Sequence, residues 1–174
     1  QPPPHSSMVE IETPSPASPP FRRLLVALDG SPHSRAALQM AVRLAADLEA
    51  TVEGLFVKDA HLLRAAQLPF AEEVRVHSVA PKALSDRRAE RQLRHQAERT
   101  EALLEQTAAQ AEVAHEFHVV ERRVTPAVQQ AAEDADLLAM GKTSTHSSRR
   151  RLGTTTQALL SESSTPVLVL RRAA

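Results

Sequence analysis

The sequence predicts an α/β fold: a three-layer open sheet of five parallel strands with helices on both faces. Three observations point to it. Two short apolar runs, Leu24-Leu25-Val26-Ala27-Leu28 and Leu137-Leu138-Ala139-Met140, lack the polar alternation of a half-exposed strand, which favours burial on both sides. A third run, Val167-Leu168-Val169-Leu170, follows the second after a polar loop and a helix-length piece, the order of a βαβ unit. From Phe21 onward, strand-length and helix-length segments alternate as β-α-β-α-β-α-β-α-β, and right-handed crossovers then place helices on both faces.

Composition narrows the function. The 174 residues suffice for one domain that buries about 70% of its unfolded surface without staples. There is no cysteine, which excludes thiolate metal sites, redox chemistry and cysteine nucleophiles. Lys plus Arg equals Asp plus Glu, at 21 each, so no general attraction to nucleic acid or an anionic membrane is expected. Trp and Tyr are absent and Phe numbers four, which disfavours a stacking surface for single strands. With no apolar span and no signal-peptide pattern, the expected setting is cytoplasmic.

The elements are justified in turn. Residues 1–20 hold most of the twelve prolines and no apolar period, so they read as a disordered leader ahead of a single domain over 21–172. The chain opens on Gln1; Met8 is a candidate natural start, and processing is the alternative. The Leu24 run ends in Asp29-Gly30-Ser31-Pro32, where Gly30 permits a tight turn and Ser31-Pro32 fits an N-cap followed by proline in the first helical position. Over 32–50, Ala37, Met40, Ala41, Leu44, Ala45 and Leu48 recur at helical spacing.

Val52 to Val57 is a second strand, with Gly54 tolerated if a helix or ligand lies close. Residues 58–81 form a long excursion with a short helix at Leu62 to Leu68 and alternation at Val74 and Val76. Its length marks it as a candidate lid or side wall. A long helix is expected over 82–111, with a narrow stripe of Leu93, Ala97, Leu104, Ala108 and Ala111. A coiled coil is the runner-up, but the pattern breaks through Arg94 to Thr100. Partial alternation over Val113 to Val120 suits an edge strand. Thr125-Pro126 repeats the cap-and-proline start for a helix over Ala127 to Ala135.

Ligands of such sheets sit where loops leave the carboxyl ends of the strands. The loop from Gly141 to Gly153 is therefore the first candidate site. Its backbone amides lead toward the helix at Thr154 and can hold an anion. Thr143, Ser144, Thr145, Ser147, Ser148, Thr154 and Thr155 add hydroxyls, while Lys142 and Arg149 to Arg151 can neutralise phosphate. An exposed, soluble turn is the bland alternative. Gly141-Lys142-Thr143 imitates the end of a P-loop, but the first glycine would fall at Asp136 and the intervening residues are an apolar strand, so a Walker-type ATPase is rejected. Asp29 ends the first strand at the same rim; it either caps its turn or accepts from a ribose or base.

Eight histidines are scattered. His115 and His118 would face opposite ways on a strand, and no zinc pattern or Gly-x-Ser-x-Gly elbow occurs, so neither metal nor catalysis is indicated. The paired arginines at 22–23, 87–88 and 122–123 are dispersed solvated faces rather than a nucleic-acid surface.

At this point the chain resembles the universal stress protein (UspA-like) family. The resemblance rests on Leu24 to Ser31 with Ser34, Ala37 and Leu38, on Leu62-Leu63 to Pro69-Phe70, on Ala135 to Gly141, and on Ser164 to Leu170. It implies strand order 3-2-1-4-5 and a homodimer that pairs its fifth strands, here Val167, Leu168, Val169 and Leu170. Many members bind ATP through a loop of Gly, two residues, Gly, nine residues, Gly-Ser/Thr. Gly141 fits the first glycine, Ser144 replaces the second, and Gly153-Thr154 fits the close with one residue fewer. Asp29 and Val57 match the base-and-ribose wall. The resemblance therefore implies a stress-associated regulatory domain binding ATP or a related adenine nucleotide between strands 1 and 4. The expected site is Asp29, Gly30, Val57, Gly141, Lys142, Ser144, Arg149, Gly153, Thr154 and Thr155. No metal is expected beyond a magnesium ion carried by the nucleotide. A nucleotide-free module acting through dimerisation and an unknown regulatory protein is the alternative, and no enzyme activity is expected.

Overall fold

The computed structural model describes residues 21–60, 72–73, 82–83, 86–142 and 152–171. Strand β1 (Arg23–Leu28) leads into helix α1 (Pro32–Leu48) and strand β2 (Thr51–Asp59). Two short strands follow, β3 (Glu72–Glu73) and β4 (Lys82–Ala83), before helix α2 (Asp86–Gln110). The chain then runs through β5 (His115–Arg122), α3 (Val124–Ala132), β6 (Leu137–Gly141), α4 (Thr154–Glu162) and β7 (Val167–Leu170). The main sheet has five strands in the order β5-β2-β1-β6-β7, all pairs parallel, which is the 3-2-1-4-5 order. β3 and β4 form a separate antiparallel pair.

The apolar runs are continuous because alternate residues enter two different cores. Leu24, Val26 and Leu28 point to the layer holding Leu38, Val42, Leu104 and Ala108 of α1 and α2. Leu25 points the other way, to a layer with Leu55, Val128, Leu138 and Leu159, under α3 and α4. Each fully buried leucine contributes about 1.5–3 kcal/mol, so the central strand is held from both sides. Gly54 is explained by α2: a Cβ there would lie 2.7 Å from Leu104 Cδ2 and 3.0 Å from Phe117 Cδ2.

Several local expectations are corrected. The buried arc of α1 is Ser34, Ala37, Leu38, Ala41, Val42 and Ala45, and Met40 is 39% exposed. The covered arc is centred on Ala37, Leu38, Ala41 and Val42, with Leu44 and Leu48 at its margin, which leaves Met40 outside it. α2 starts at Asp86 rather than Lys82, which belongs to β4. Thr125-Pro126 does not cap α3: the N-cap is Arg123, without a side-chain bond, and the proline falls inside the first turn, where its missing N–H is also tolerated. β2 runs on to Asp59. β5 is an edge strand as expected, although Val119 is 43% exposed. Residues 1–20 and most of the 58–81 excursion, including its Leu62 to Leu68 helix, lie outside the described residues.

The amino-terminal rim of the sheet is tied by charge. The Asp136 carboxylate accepts from the backbone N–H groups of Arg22 at 2.7 Å and Arg23 at 2.9 Å, and these bonds hold its pKa below the usual carboxylate range. Beside it, Arg23 Nε donates to Glu53 Oε1 at 2.6 Å, and this hydrogen bond raises the guanidinium pKa. A carboxyl whose folded pKa is depressed contributes stability above its unfolded value near ~4, and that stability is lost as pH falls through the folded pKa. Asp136→Asn is therefore expected to lower stability by about 1 kcal/mol at neutral pH. Denaturant unfolding at several pH values should show this gap closing as the medium becomes more acid than pH ~4.

Candidate functional site

The β1–α1 turn is built by its own side chains. Asp29 Oδ1 accepts from Ser31 N–H at 2.9 Å, an Asx-type turn, and Ser31 Oγ caps α1 by accepting from Ser34 N–H at 3.1 Å. Ser34 Oγ in turn donates to Ser31 O at 3.1 Å, so two hydroxyls buried under the turn are satisfied. Gly30 takes φ +71°, which is why glycine stands between Asp29 and the cap. The capping role weighed for Asp29 is thus real. A carboxylate has about four acceptor positions, so one turn contact leaves capacity for a ligand.

The β6–α4 loop leaves from the neighbouring strand at the same rim. In the β1–β6 ladder Ala27 pairs with Met140, so Gly141 stands level with Leu28, one residue before Asp29. A Cβ on Gly141 would lie 2.9 Å from His33 C, His33 Cβ and Ser34 N. Gly141 is therefore a glycine because the first turn of α1 presses on it, independent of any ligand. The loop's ends are pinned: Lys142 N–H donates to Leu170 O at 2.6 Å, and Gly153 N–H donates to Lys142 O at 3.0 Å. Thr156 Oγ1 donates to Gly141 O at 3.2 Å. Gly153 is the N-cap of α4 at φ −63° and ψ 152°. Having no side chain, it supplies no acceptor to the first-turn amides, which include those of Thr154 and Thr155.

Of the sequence-predicted residues, Asp29, Gly30, Gly141, Lys142, Gly153, Thr154 and Thr155 all lie on these two loops and the start of α4. Val57 lies one residue beyond Phe56, the partner of Leu28, and packs into the α3/α4 layer beside Ala27. It therefore stands next to Asp29 at the rim. Ser144 and Arg149 lie outside the described residues, as do the other hydroxyls of 143–148. At β1–β6 the strand order reverses direction, the switch point at which open α/β sheets take ligands.

Sequence reasoning missed three contributors. Gln96 of α2 donates through Nε2 to Asp29 O at 2.5 Å across 67 residues. Thr100, one turn later and buried, donates to Gln96 O at 2.7 Å. Thr156 is the third. The signal for the first two was the break in the α2 stripe over Arg94 to Thr100, where polar side chains replace the expected apolar ones.

Among the described residues, the two titrating groups with shifted pKa values, Arg23 and Asp136, belong to the opposite rim. Among the described residues no cluster of three or more His, Cys, Asp or Glu could hold a metal ion. His115 and His118 sit on β5 with separate partners, Val113 O and Glu116. No helix among them is long and apolar enough to cross a membrane.

Comparison with known proteins agrees with this architecture. The family model described as "Universal stress protein family" matches residues 20–171. The chain is similar to the universal stress protein UspA from Lactobacillus plantarum, with 21% identity and a TM-score of 0.64, covering 87% of this chain and 98% of that one. It is also similar to a universal stress protein from Archaeoglobus fulgidus in complex with dAMP, at 17% identity and TM-score 0.54, covering 86% and 98%. A universal stress family protein from Arabidopsis thaliana with AMP bound gives 15% identity and TM-score 0.58, covering 88% and 93%. No curated protein matches the sequence.

Proposed function

The chain belongs to the universal stress protein family, and from that premise we propose that it is a regulatory, non-catalytic domain binding an adenine nucleotide at the β1–β6 rim. The observation that carries this reading is the meeting of the Asp29 turn and the Gly141–Gly153 loop at one switch point. The similar Archaeoglobus and Arabidopsis proteins carry dAMP and AMP, which supports an adenine ligand here.

In this reading Asp29 accepts from the ribose or base and Val57 supplies an apolar wall. The first-turn amides and hydroxyls of Thr154 and Thr155 take the phosphate at the amino end of α4. Lys142 and Arg149 add positive charge, and Ser144 stands at the sequence position where the family motif has glycine. Gly30 and Gly141 keep the turn and the strand end narrow. ATP is the fuller ligand proposed, with magnesium arriving on its phosphates. The proposed dimer pairs two β7 edges, since Val167 to Leu170 is uncharged. The opposite edge, β5, carries Glu116, His118, Glu121 and Arg122 and resists self-pairing. A cytoplasmic setting and an unidentified protein partner complete the proposal.

One observation favours a second reading, a nucleotide-free module acting through protein contacts. The amides of Lys142 and Gly153 already serve Leu170 and Lys142 carbonyls, so neither can donate to a phosphate without breaking a protein bond. Mass spectrometry of gently purified protein separates the two. The nucleotide reading expects AMP, ADP or ATP released on denaturation; protein free of nucleotide that also fails to take up added AMP favours the second.

A further inference from the structure

We infer that Gln96 is a positioning residue: from α2 it sets the orientation of the Asp29–Gly30 peptide and so presents the site's first loop to its ligand. The ligand part of this inference rests on the nucleotide reading above, whereas the orientation of the peptide does not. Three observations carry it. Gln96 Nε2 donates to Asp29 O at 2.5 Å. A Cβ on Gly30 would meet Gln96 Nε2 at 3.2 Å and Cγ at 3.3 Å, so the side chain lies directly against the glycine. The backbone of α2 beneath this side chain is held by Thr100, 3% exposed, whose Oγ1 donates to the Gln96 main-chain carbonyl at 2.7 Å.

The physical consequence follows from peptide geometry. The Asp29 carbonyl and the Gly30 amide share one trans peptide plane, and in a trans peptide the C=O and N–H point in opposite directions. With the carbonyl drawn toward α2, the Gly30 N–H is directed away from α2 at an exposed position of the rim. A residue with a Cβ would favour the flipped plane, which brings φ negative, over the observed φ of +71°, whereas glycine tolerates both. The hydrogen bond from Gln96 therefore selects one of two sterically accessible orientations. It also fixes the backbone from which the Asp29 carboxylate is held by Ser31 N–H. Removing the donor leaves the α2 packing in place and frees the plane to turn.

The test uses the full chain, AMP as probe, and two variants of the same helix. Gln96→Met keeps length and volume without a donor. Leu103→Ala loosens the packing of α2 against the core without touching the turn. Two-dimensional amide NMR without ligand reads the Gly30 resonance, and calorimetry reads AMP affinity. The expected result is a displaced or broadened Gly30 amide in Gln96→Met but not in Leu103→Ala. AMP binding should weaken about tenfold in Gln96→Met alone, the size of one hydrogen bond's influence. An unchanged Gly30 amide in Gln96→Met overturns the inference, as does wild-type AMP affinity in that variant. Should the wild type bind no AMP, the nucleotide reading falls, and the Gly30 resonance alone still decides whether Gln96 orients the peptide.

Discussion

Gly141→Val is expected to destabilise the protein by about 3 kcal/mol, the upper range for forcing atoms into a filled core. The position has no slack: a Cβ would sit 2.9 Å from three atoms of the first turn of α1, two of them backbone. No flexible side-chain end is available to swing aside. The same turn carries the Ser31 cap and the Asp29 contact, so relief of the clash would displace the site as well. Gly141→Ala should fall between, at about 1–2 kcal/mol. Gly153→Ala provides the contrast. Its backbone at φ −63° and ψ 152° suits any residue, and the loss of a good N-cap costs no more than about 1 kcal/mol. Denaturant unfolding of the three variants checks the ranking, and near-equal values at 141 and 153 would refute the packing account of Gly141.

Gly153→Asp should produce opposite signs in stability and binding. A carboxylate at the N-cap of α4 accepts from first-turn amides and complements the helix dipole, which stabilises the fold by about 0.5–1 kcal/mol. It also occupies the place assigned to the phosphate and repels it. Like charges about 4 Å apart at an effective dielectric near ~20 cost about 4 kcal/mol, so a weakening of AMP binding of at least about a hundredfold is expected. Thermal unfolding and calorimetric titration of the same sample read both effects. Retained AMP affinity in a stabilised Gly153→Asp protein would place the phosphate away from α4.

How much of this was legible in the sequence depends on which physical signal each feature leaves. The strands were legible because residues buried on both faces, such as Leu24, Leu25 and Val26, leave an unbroken apolar run. The Ser31-Pro32 helix start was legible because its chemistry is local, and the structure keeps it. Thr125-Pro126 carried the same signature and misled, since a proline is tolerated anywhere in a first turn. Helix ends were harder to place. α1 closes through Glu49 at φ 54°, and another left-handed residue, Glu112 at φ 55°, follows α2; neither offers the glycine that usually marks such an end.

The candidate site was legible in part for the same reason. Asp29 and Gly141 were visible as strand-end residues, and the ladder places them on adjacent rungs of one rim. The role of Gly141 was not visible, because the atoms that forbid a side chain there belong to His33 and Ser34, over a hundred residues earlier. Gln96 was hidden for a related reason: its bond to Asp29 spans 67 residues, and the break in the α2 stripe over Arg94 to Thr100 marks a polar stretch without naming its partner. Long-range contacts of single side chains are what pattern reading cannot recover.

Calorimetric titration of the wild type and of Asp29→Asn with AMP and with ATP tests the central claim most directly. Asparagine keeps an oxygen for the Ser31 N–H but loses the charge and one acceptor. The account predicts saturable heat in the wild type and affinity about tenfold weaker in Asp29→Asn, with little change in melting temperature. Absence of heat and of any thermal shift in the wild type at roughly millimolar AMP and ATP would contradict it.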